Sequence, residues 1–218
     1  MASSPHTVSD VMTLTAIAVG SRAPYKEIVR LMAEWKVSAL PVLAGEGRVI
    51  GVVSEADLLP KEAFRRDEPA HLGPPDDASK AGAVLAEDLM SSPAVTVHPD
   101  ATIAEAAQIM ARKRVKRLPV ANDLGLLEGV VSRGDLLKVF LRPDAELGAE
   151  IRTGVLGQIS PPLRIDVAVE DGVVTLSGSL RDRSMVPLLA RAVRAVEGVV
   201  DVRMDLDENP SGTAVAGG

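Results

Sequence analysis

The sequence predicts an α/β (α+β) protein: two pseudo-symmetric β-α-β-β-α units packed as a pair, plus a small α/β domain after them. Three observations predict it. The nine residues GVVSEADLL at 51–59 return as GVVSRGDLL at 129–137. The offset that pairs Asp57 with Asp135 runs without a gap from residue 10 to residue 59. Roughly 20 of those 50 positions are identical, the mark of two copies of one structural unit. Residues 145–206 match neither copy and carry strand and turn signals of their own.

Each copy reads the same way. A short strand opens it, AIAV at 16–19 and AVTV at 94–97. A helix follows. In the second copy TIAE is a capping box, with Thr102 accepting from the backbone of Glu105 and Glu105 reaching back. Ile103, Ala106, Ala107 and Met110 then share one helical face. In the first copy Pro24 stands at the helix start, where its missing N–H costs nothing. Next come a strand (ALPVL or RLPVA), a glycine-containing turn and a second strand (VIGVVS or LEGVVS). A closing helix begins near Asp57 in one copy and Asp135 in the other.

The copies span 7–59 and 85–140. Residues 60–84 hold four prolines and scattered charge, and read as a linker. In the last domain, ELGAEIRTGVLGQI reads as a helix. LRIDVAV alternates, placing Leu163, Ile165, Val167 and Val169 on one face. Asp171-Gly172 is a hairpin turn of primed geometry, and VVTLSGSL is the partner strand. Ser184 is placed to cap a helix running to about Val196, with Pro187 in its first turn and Gly198 closing it. VVDVRMDL is the last strand. Residues 207–218 read as a disordered tail.

Composition narrows the function. Hydrophobic content of 46% builds real cores, but aromatic content is only 2%. Tyr25, Trp35, Phe64 and Phe140 are too few and scattered to stack single-stranded nucleic acid. The net charge of −6 argues against a nucleic-acid coat, so no nucleic-acid partner is expected. There is no cysteine, which removes disulfides, thiolate metal sites and a cysteine nucleophile. The start, MASSPHTVSD, lacks a basic segment and apolar run, and no apolar stretch reaches the ~18 residues of a membrane span. A cytoplasmic protein is the expectation. His6, His71 and His98 share no ligand spacing, so no metal site is expected. No Ser-His-Asp set has a plausible chain context, so no catalytic residue is assigned.

The chemistry sits in the repeated nonamer. Gly51 and Gly129 have no Cβ, so another backbone or a flat ligand has room to approach. Ser54 and Ser132 stand at the strand-to-helix switch, where helix N–H groups favour an anion. Asp57 and Asp135 lie one turn in, where a carboxylate accepts from a ribose diol. Capping alone also accounts for a Ser and an Asp so placed, at ~0.5–2 kcal/mol per cap. Their recurrence in both copies points beyond capping.

On SDVM and EDLM, on VSALPV and VKRLPV, and on the two nonamers, residues 7–59 and 85–140 resemble two cystathionine-beta-synthase (CBS) domains forming a Bateman module. On VEDGVVTLSGSL and VEGVVDVRMDL, residues 145–206 resemble a BON domain. The resemblance implies a regulatory, non-catalytic sensor. No cofactor is required; AMP, ADP or ATP would be its regulatory ligand, with S-adenosylmethionine or a dinucleotide using much the same carboxylates. Carried over by position, it assigns Ser54 and Asp57 to one site, walled by Ala16, Val37 and Leu40. Ser132 and Asp135 go to the other, walled by Ala94, Val95, Val115 and Leu118. Arg133, with Arg114, Lys116 and Arg117 nearby, is expected to meet phosphate there. Glu55, with Lys36, Ser38 and Ala39 nearby, is expected to leave the first site weak or suited to an uncharged nucleoside. A homodimer through the CBS pair is expected. The BON resemblance implies phospholipid or protein attachment, through basic residues such as Arg181, Arg183, Arg191 and Arg194, although this stretch is net acidic. The alternative reading is a membrane-surface or protein-interaction module led by the BON domain, with the CBS pair as a dimerisation scaffold.

Overall fold

A computed structural model describes residues 6–63, 83–159, 164–180 and 182–207. The chain divides into two compact units, Thr7–Leu136 and the stretch from Leu137 onward together with the N-terminal residues to His6. The expected linker opens as a short helix, α4 (Pro60–Ala63); the rest of it and the expected tail lie mostly outside the described residues, as do Leu163 and Arg181.

In the first unit, strand β1 (Val19–Gly20) pairs parallel with β2 (Ala39–Ala44), which pairs antiparallel with β3 (Arg48–Ser54). The second copy repeats this with β4 (Arg117–Ala121) and β5 (Leu127–Ser132). Its opening strand shrinks to one parallel bridge, Val97 to Val120. The strands expected at 16–19 and 94–97 are thus largely irregular. The cause lies just upstream, where Thr13 and Ser91 spend their backbone groups on the other copy.

Two 11-residue helices cover the sheets, α2 (Tyr25–Trp35) and α6 (Ile103–Lys113). The Thr102 box forms as read: the Thr102 amide reaches Glu105 at 2.8 Å, and the Glu105 amide reaches the Thr102 hydroxyl at 3.2 Å. The Thr102 amide, and the Thr102 hydroxyl at 3.1 Å, both donate to Glu105 Oε2 and hold its carboxyl below its ordinary value. Ile103, Ala106 and Met110 are buried, but Ala107 is exposed. It sits at the edge of the apolar stripe, clear of the sheet.

The two copies complete each other. The short helix α1 (Val8–Val11) precedes copy one but docks on copy two, with the Val8 amide 2.8 Å from the Ala101 carbonyl. Its counterpart α5 (Ala86–Leu89) docks on copy one, with the Ala86 amide 2.9 Å from the Ala23 carbonyl. Thr13 pairs with Val130 of β5, and Ser91 with Val52 of β3. The hairpin turns also meet: the Val49 amide donates to Gly125 and the Leu127 amide to Gly47, both at 3.0 Å.

The C-terminal unit is a three-stranded sheet in the order β6 (Arg164–Glu170), β7 (Val173–Ser179), β8 (Asp201–Asp207). β6 and β7 are antiparallel, β7 and β8 parallel, with helix α9 (Val186–Arg194) between them in the chain. Val167 is buried and Ile165 and Val169 half-buried, while their neighbours along β6 face solvent. Asp171 (φ 50) and Gly172 (φ 73) make the primed turn. The Asp144 carboxylate accepts from both of their amides, at 2.8 and 2.9 Å.

The single helix expected from residue 146 breaks into three pieces: α8 (Asp144–Glu150), a π-helical turn (Ile151–Val155) and a 3-10 turn (Leu156–Gln158). The Thr153 hydroxyl donates to the Ala149 carbonyl at 2.9 Å, diverting a helix acceptor, and Gly154 and Gly157 stiffen nothing. Ser184 is not the cap. Asp182 accepts the Ser184 amide at 2.9 Å and opens a 3-10 turn, Arg183–Met185, ahead of α9. An aspartate two residues earlier offers the stronger, charged acceptor. Helix α9 stops at Arg194, and Gly198 (φ 96) lies in the turn beyond.

Candidate functional site

The exchange of lead-in segments creates the site. β3 ends at Ser54 and turns into the four-residue helix α3 (Glu55–Leu58). The Ser54 amide and hydroxyl both donate to Asp57 Oδ2, at 2.8 and 2.6 Å. Ser91, from the second copy, donates its hydroxyl to Asp57 Oδ1 at 3.2 Å. Asp57 is 8% exposed, and these donors explain how a carboxylate tolerates that burial. The second nonamer repeats the local part: the Ser132 amide and hydroxyl reach Asp135 Oδ2 at 2.9 and 2.6 Å.

A cavity of about 460 Å³ opens beside Asp57, within the ~300–1,000 Å³ of small-molecule sites. Ser54, Glu55 and Asp57 line it from the first copy. Ala94, Val95, Val115 and Lys116 line it from the second, with Arg114 and Arg117 beside them. The expected grouping within each copy is therefore corrected: the nonamer of one copy faces the apolar wall of the other. The physical reason is the Ser91–Val52 pairing, which lays the chain toward Ala94 and Val95 alongside β3. The matching Thr13–Val130 pairing leads toward Ala16 on the side of Ser132 and Asp135.

Leu40 and Leu118, expected as walls, are 0% exposed and belong to the core. Ala16 and Val37 are half-buried. Arg133 is exposed and lies outside the cavity lining; its Nη2 donates to the Val115 carbonyl at 3.2 Å, and its amide to Lys116 at 3.1 Å. The phosphate-seeking residues Arg114, Lys116 and Arg117 thus share a cavity with Glu55 rather than with Ser132. Among the described residues, none of these three cations forms an ion pair in the chain.

The helix tip is a weaker anion site than the sequence suggests. Both closing helices have four residues, Glu55–Leu58 and α7 (Arg133–Leu136), too short to sum a useful dipole. The Ser54 hydroxyl proton is also spent on Asp57. An anion here would meet the three basic side chains instead.

Gly51 and Gly129 now have a specific use. A Cβ on Gly51 would collide with the Met90 side chain and lie 3.0 Å from the Ser91 carbonyl. One on Gly129 would lie 2.8 Å from the Thr13 carbonyl. Of the two occupants left open by the sequence, the other copy's backbone is the one present. Ser91 itself was not anticipated. Its signal was available: it follows EDLM, and the same offset places a second hydroxyl, Thr13, after SDVM.

Comparison with known proteins follows the same division. Residues 8–62 and 86–142 match the family model of the CBS domain, and residues 143–209 that of the BON domain. The uncharacterized protein MJ1426 of Methanocaldococcus jannaschii is 30% identical over 135 residues, covering 53% of this chain and 80% of that protein. Two other curated relatives are matched over 40% and 52% of their own length. Among solved structures, CBSX2 of Arabidopsis thaliana in complex with AMP aligns with a TM-score of 0.55 and 27% identity, over 62% of this chain and 97% of that one. The CBS domain pair of MJ0100 in complex with 5-methylthioadenosine and S-adenosyl-L-methionine aligns with a TM-score of 0.52 at 18% identity, over 63% and 97%, a likeness of fold.

Proposed function

We infer that this chain, which belongs to the CBS-domain family as a tandem CBS pair followed by a BON domain, is a non-catalytic regulatory module that binds an adenosine-containing ligand between its two copies. The observation that carries this is the cavity at Asp57, where a buried carboxylate, apolar walls at Ala94 and Val95, and the cations Arg114, Lys116 and Arg117 converge. The carboxylate would take the ribose, the walls the base, and Arg114, Lys116 and Arg117 the 5′ anion. AMP bound to the similar CBSX2 supports AMP, ADP or ATP as the ligand class. By the repeat, Ser132, Arg133 and Asp135 with Ala16 and Val37 would form a second site, where Lys36, Ser38 and Ala39 stand in place of Arg114, Lys116 and Arg117. The ligand would shift the packing of the copies by its differential affinity for two states, and the BON domain or a partner would receive the change.

Isothermal titration of AMP and of S-adenosylmethionine into the full chain tests the reading. Binding heat for either is the expected result, and for AMP, which carries the 5′ anion, it is lost in the Arg114→Ala/Lys116→Ala double variant. Flat titrations for both ligands overturn it.

A second reading has its own observation. On α9, Leu188 is 65% exposed and Arg191 is exposed in the following turn, an apolar and basic surface of the kind that meets anionic lipid. Under that reading the CBS pair serves as a dimerisation scaffold, which Val29 (42% exposed) and Trp35 (51% exposed) on α2 support. Co-sedimentation with anionic vesicles, reduced in Arg191→Glu, is its expected result. Light scattering after gel filtration reads the dimer.

A further inference from the structure

The two oxygens of Asp57 are held in different ways. Oδ2 takes the Ser54 amide and hydroxyl at 2.8 and 2.6 Å, both from three residues away, and Asp135 Oδ2 receives the same pair from Ser132. That is helix capping, present whatever the cavity contains. Oδ1 takes the Ser91 hydroxyl, contributed by the other copy, 34 residues along the chain. At 3.2 Å this bond is long for O–H···O, where ~2.7–2.8 Å is usual. Ser91 and Asp57 both line the cavity. The Ser91 backbone is fixed, its carbonyl accepting from Val52 at 3.1 Å and its amide donating back at 2.9 Å. Its side chain, by contrast, has χ1 as its one heavy-atom rotation, and a change of χ1 would take the hydroxyl off Asp57.

We propose that Ser91 is a specificity-determining residue of the Asp57 cavity, its hydroxyl standing where a sugar hydroxyl of the ligand docks. The inference rests on the adenosine reading above. A hydroxyl donor arriving from the ligand takes Oδ1 in place of the long Ser91 bond, while the capping bonds to Oδ2 stay. The exchange trades one O–H···O⁻ bond for another, so only a ligand with a correctly placed hydroxyl gains from it. A sugar without hydroxyls leaves Ser91 on the carboxylate and gains nothing there. Because Ser91 belongs to the second copy and Asp57 to the first, the exchange also removes one bond between the copies, giving ligand entry a direct effect on how they are joined.

The test compares AMP with 2′,3′-dideoxy-AMP by calorimetry, on the full-length wild type, Ser91→Ala and Ser91→Thr. Removing the competing hydroxyl in Ser91→Ala should tighten AMP binding by about three- to tenfold and leave the dideoxy compound within about twofold. Ser91→Thr keeps a hydroxyl, as Thr13 does, and should behave as wild type. Weaker AMP binding in Ser91→Ala, or an equal change for both compounds, overturns the role of Ser91 while leaving the adenosine reading intact. No binding of either compound to wild type overturns the role of Ser91, and the adenosine reading as well where S-adenosylmethionine also fails to bind. Thermal unfolding checks that each variant is folded; should Ser91→Ala unfold, Ser91→Thr set against Ser91→Cys, a weak donor, gives the same comparison.

Discussion

Gly129 lies with its bare Cα so close to Thr13 that a Cβ would stand 2.8 Å from the Thr13 carbonyl oxygen. That carbonyl accepts the Val130 amide at 3.0 Å, so a retreat would cost that bond. Gly129→Ala should therefore destabilise the CBS pair by ~1–3 kcal/mol, as overpacking against fixed backbone does. Gly20→Ala is the control, since nothing lies within 4 Å of a Cβ there. Urea unfolding midpoints read the difference, and equal midpoints would contradict the close approach.

Asp57→Ala should lower stability as well as ligand binding. It leaves the Ser54 amide and the Ser54 and Ser91 hydroxyls without their carboxylate in a buried setting, at ~1–3 kcal/mol. Asp135→Ala should cost less, because Asp135 is more exposed. Chemical denaturation of the two variants gives the order directly.

Charge selection in the Asp57 cavity should respond to Glu55. Glu55→Arg gives the first nonamer the residue of the second and removes an acid facing Arg114, Lys116 and Arg117. Affinity for ATP should rise by about tenfold relative to adenosine, with the gain fading as salt is raised. An unchanged ATP-to-adenosine ratio counts against Glu55 as a charge filter.

Acid should loosen the start of α6. Thr102 holds the folded-state Glu105 carboxyl below its ordinary value of 4.5 through backbone and side-chain hydrogen bonds. A depressed folded value means the stabilisation is complete above about 4.5 and is lost as pH falls through the lower folded value. The stability gap between wild type and Glu105→Gln should be present at neutral pH and close on acidification below that window. Denaturant melts across that pH range measure it.

In the C-terminal unit, Arg142 joins Glu150 at 2.6 Å and the Glu197 carbonyl at 2.8 Å, with both side chains about four-fifths buried. Arg142→Ala strands a largely buried carboxylate and should cost this unit ~1–3 kcal/mol. The Arg142→Ala/Glu150→Ala double variant should recover part of that loss.

Features whose cause lies within a few residues were readable in the sequence. The Thr102–Glu105 box needs only its own turn, and Asp171-Gly172 needs only positive φ at two neighbouring positions. The Ser-Asp pairs were equally plain, since Ser54 and Asp57 close on each other. What escaped was set by distant partners. The 78-residue register between Asp57 and Asp135 announces two copies but not which copy each lead-in segment serves. Ser91 and Thr13 decide that by pairing across, and they carry Ala94 and Val95 to the opposite nonamer. Leu40 and Leu118 read equally well as wall or core, because an apolar residue between two strands suits both. The helix after Glu150 failed for a local but subtle reason: Thr153 competes for the Ala149 carbonyl, and helical periodicity does not register that.

The crossed pairing of lead-in segments constrains the order of assembly. During synthesis Thr13 leaves the ribosome long before Val130, the strand residue it must join. The early half therefore waits with an incomplete edge and a bare glycine groove until its twin emerges. Such long-range closure is slow, and the waiting intermediate exposes strand to any neighbour. A truncated chain ending before Val130 should accordingly be prone to swap segments with another molecule.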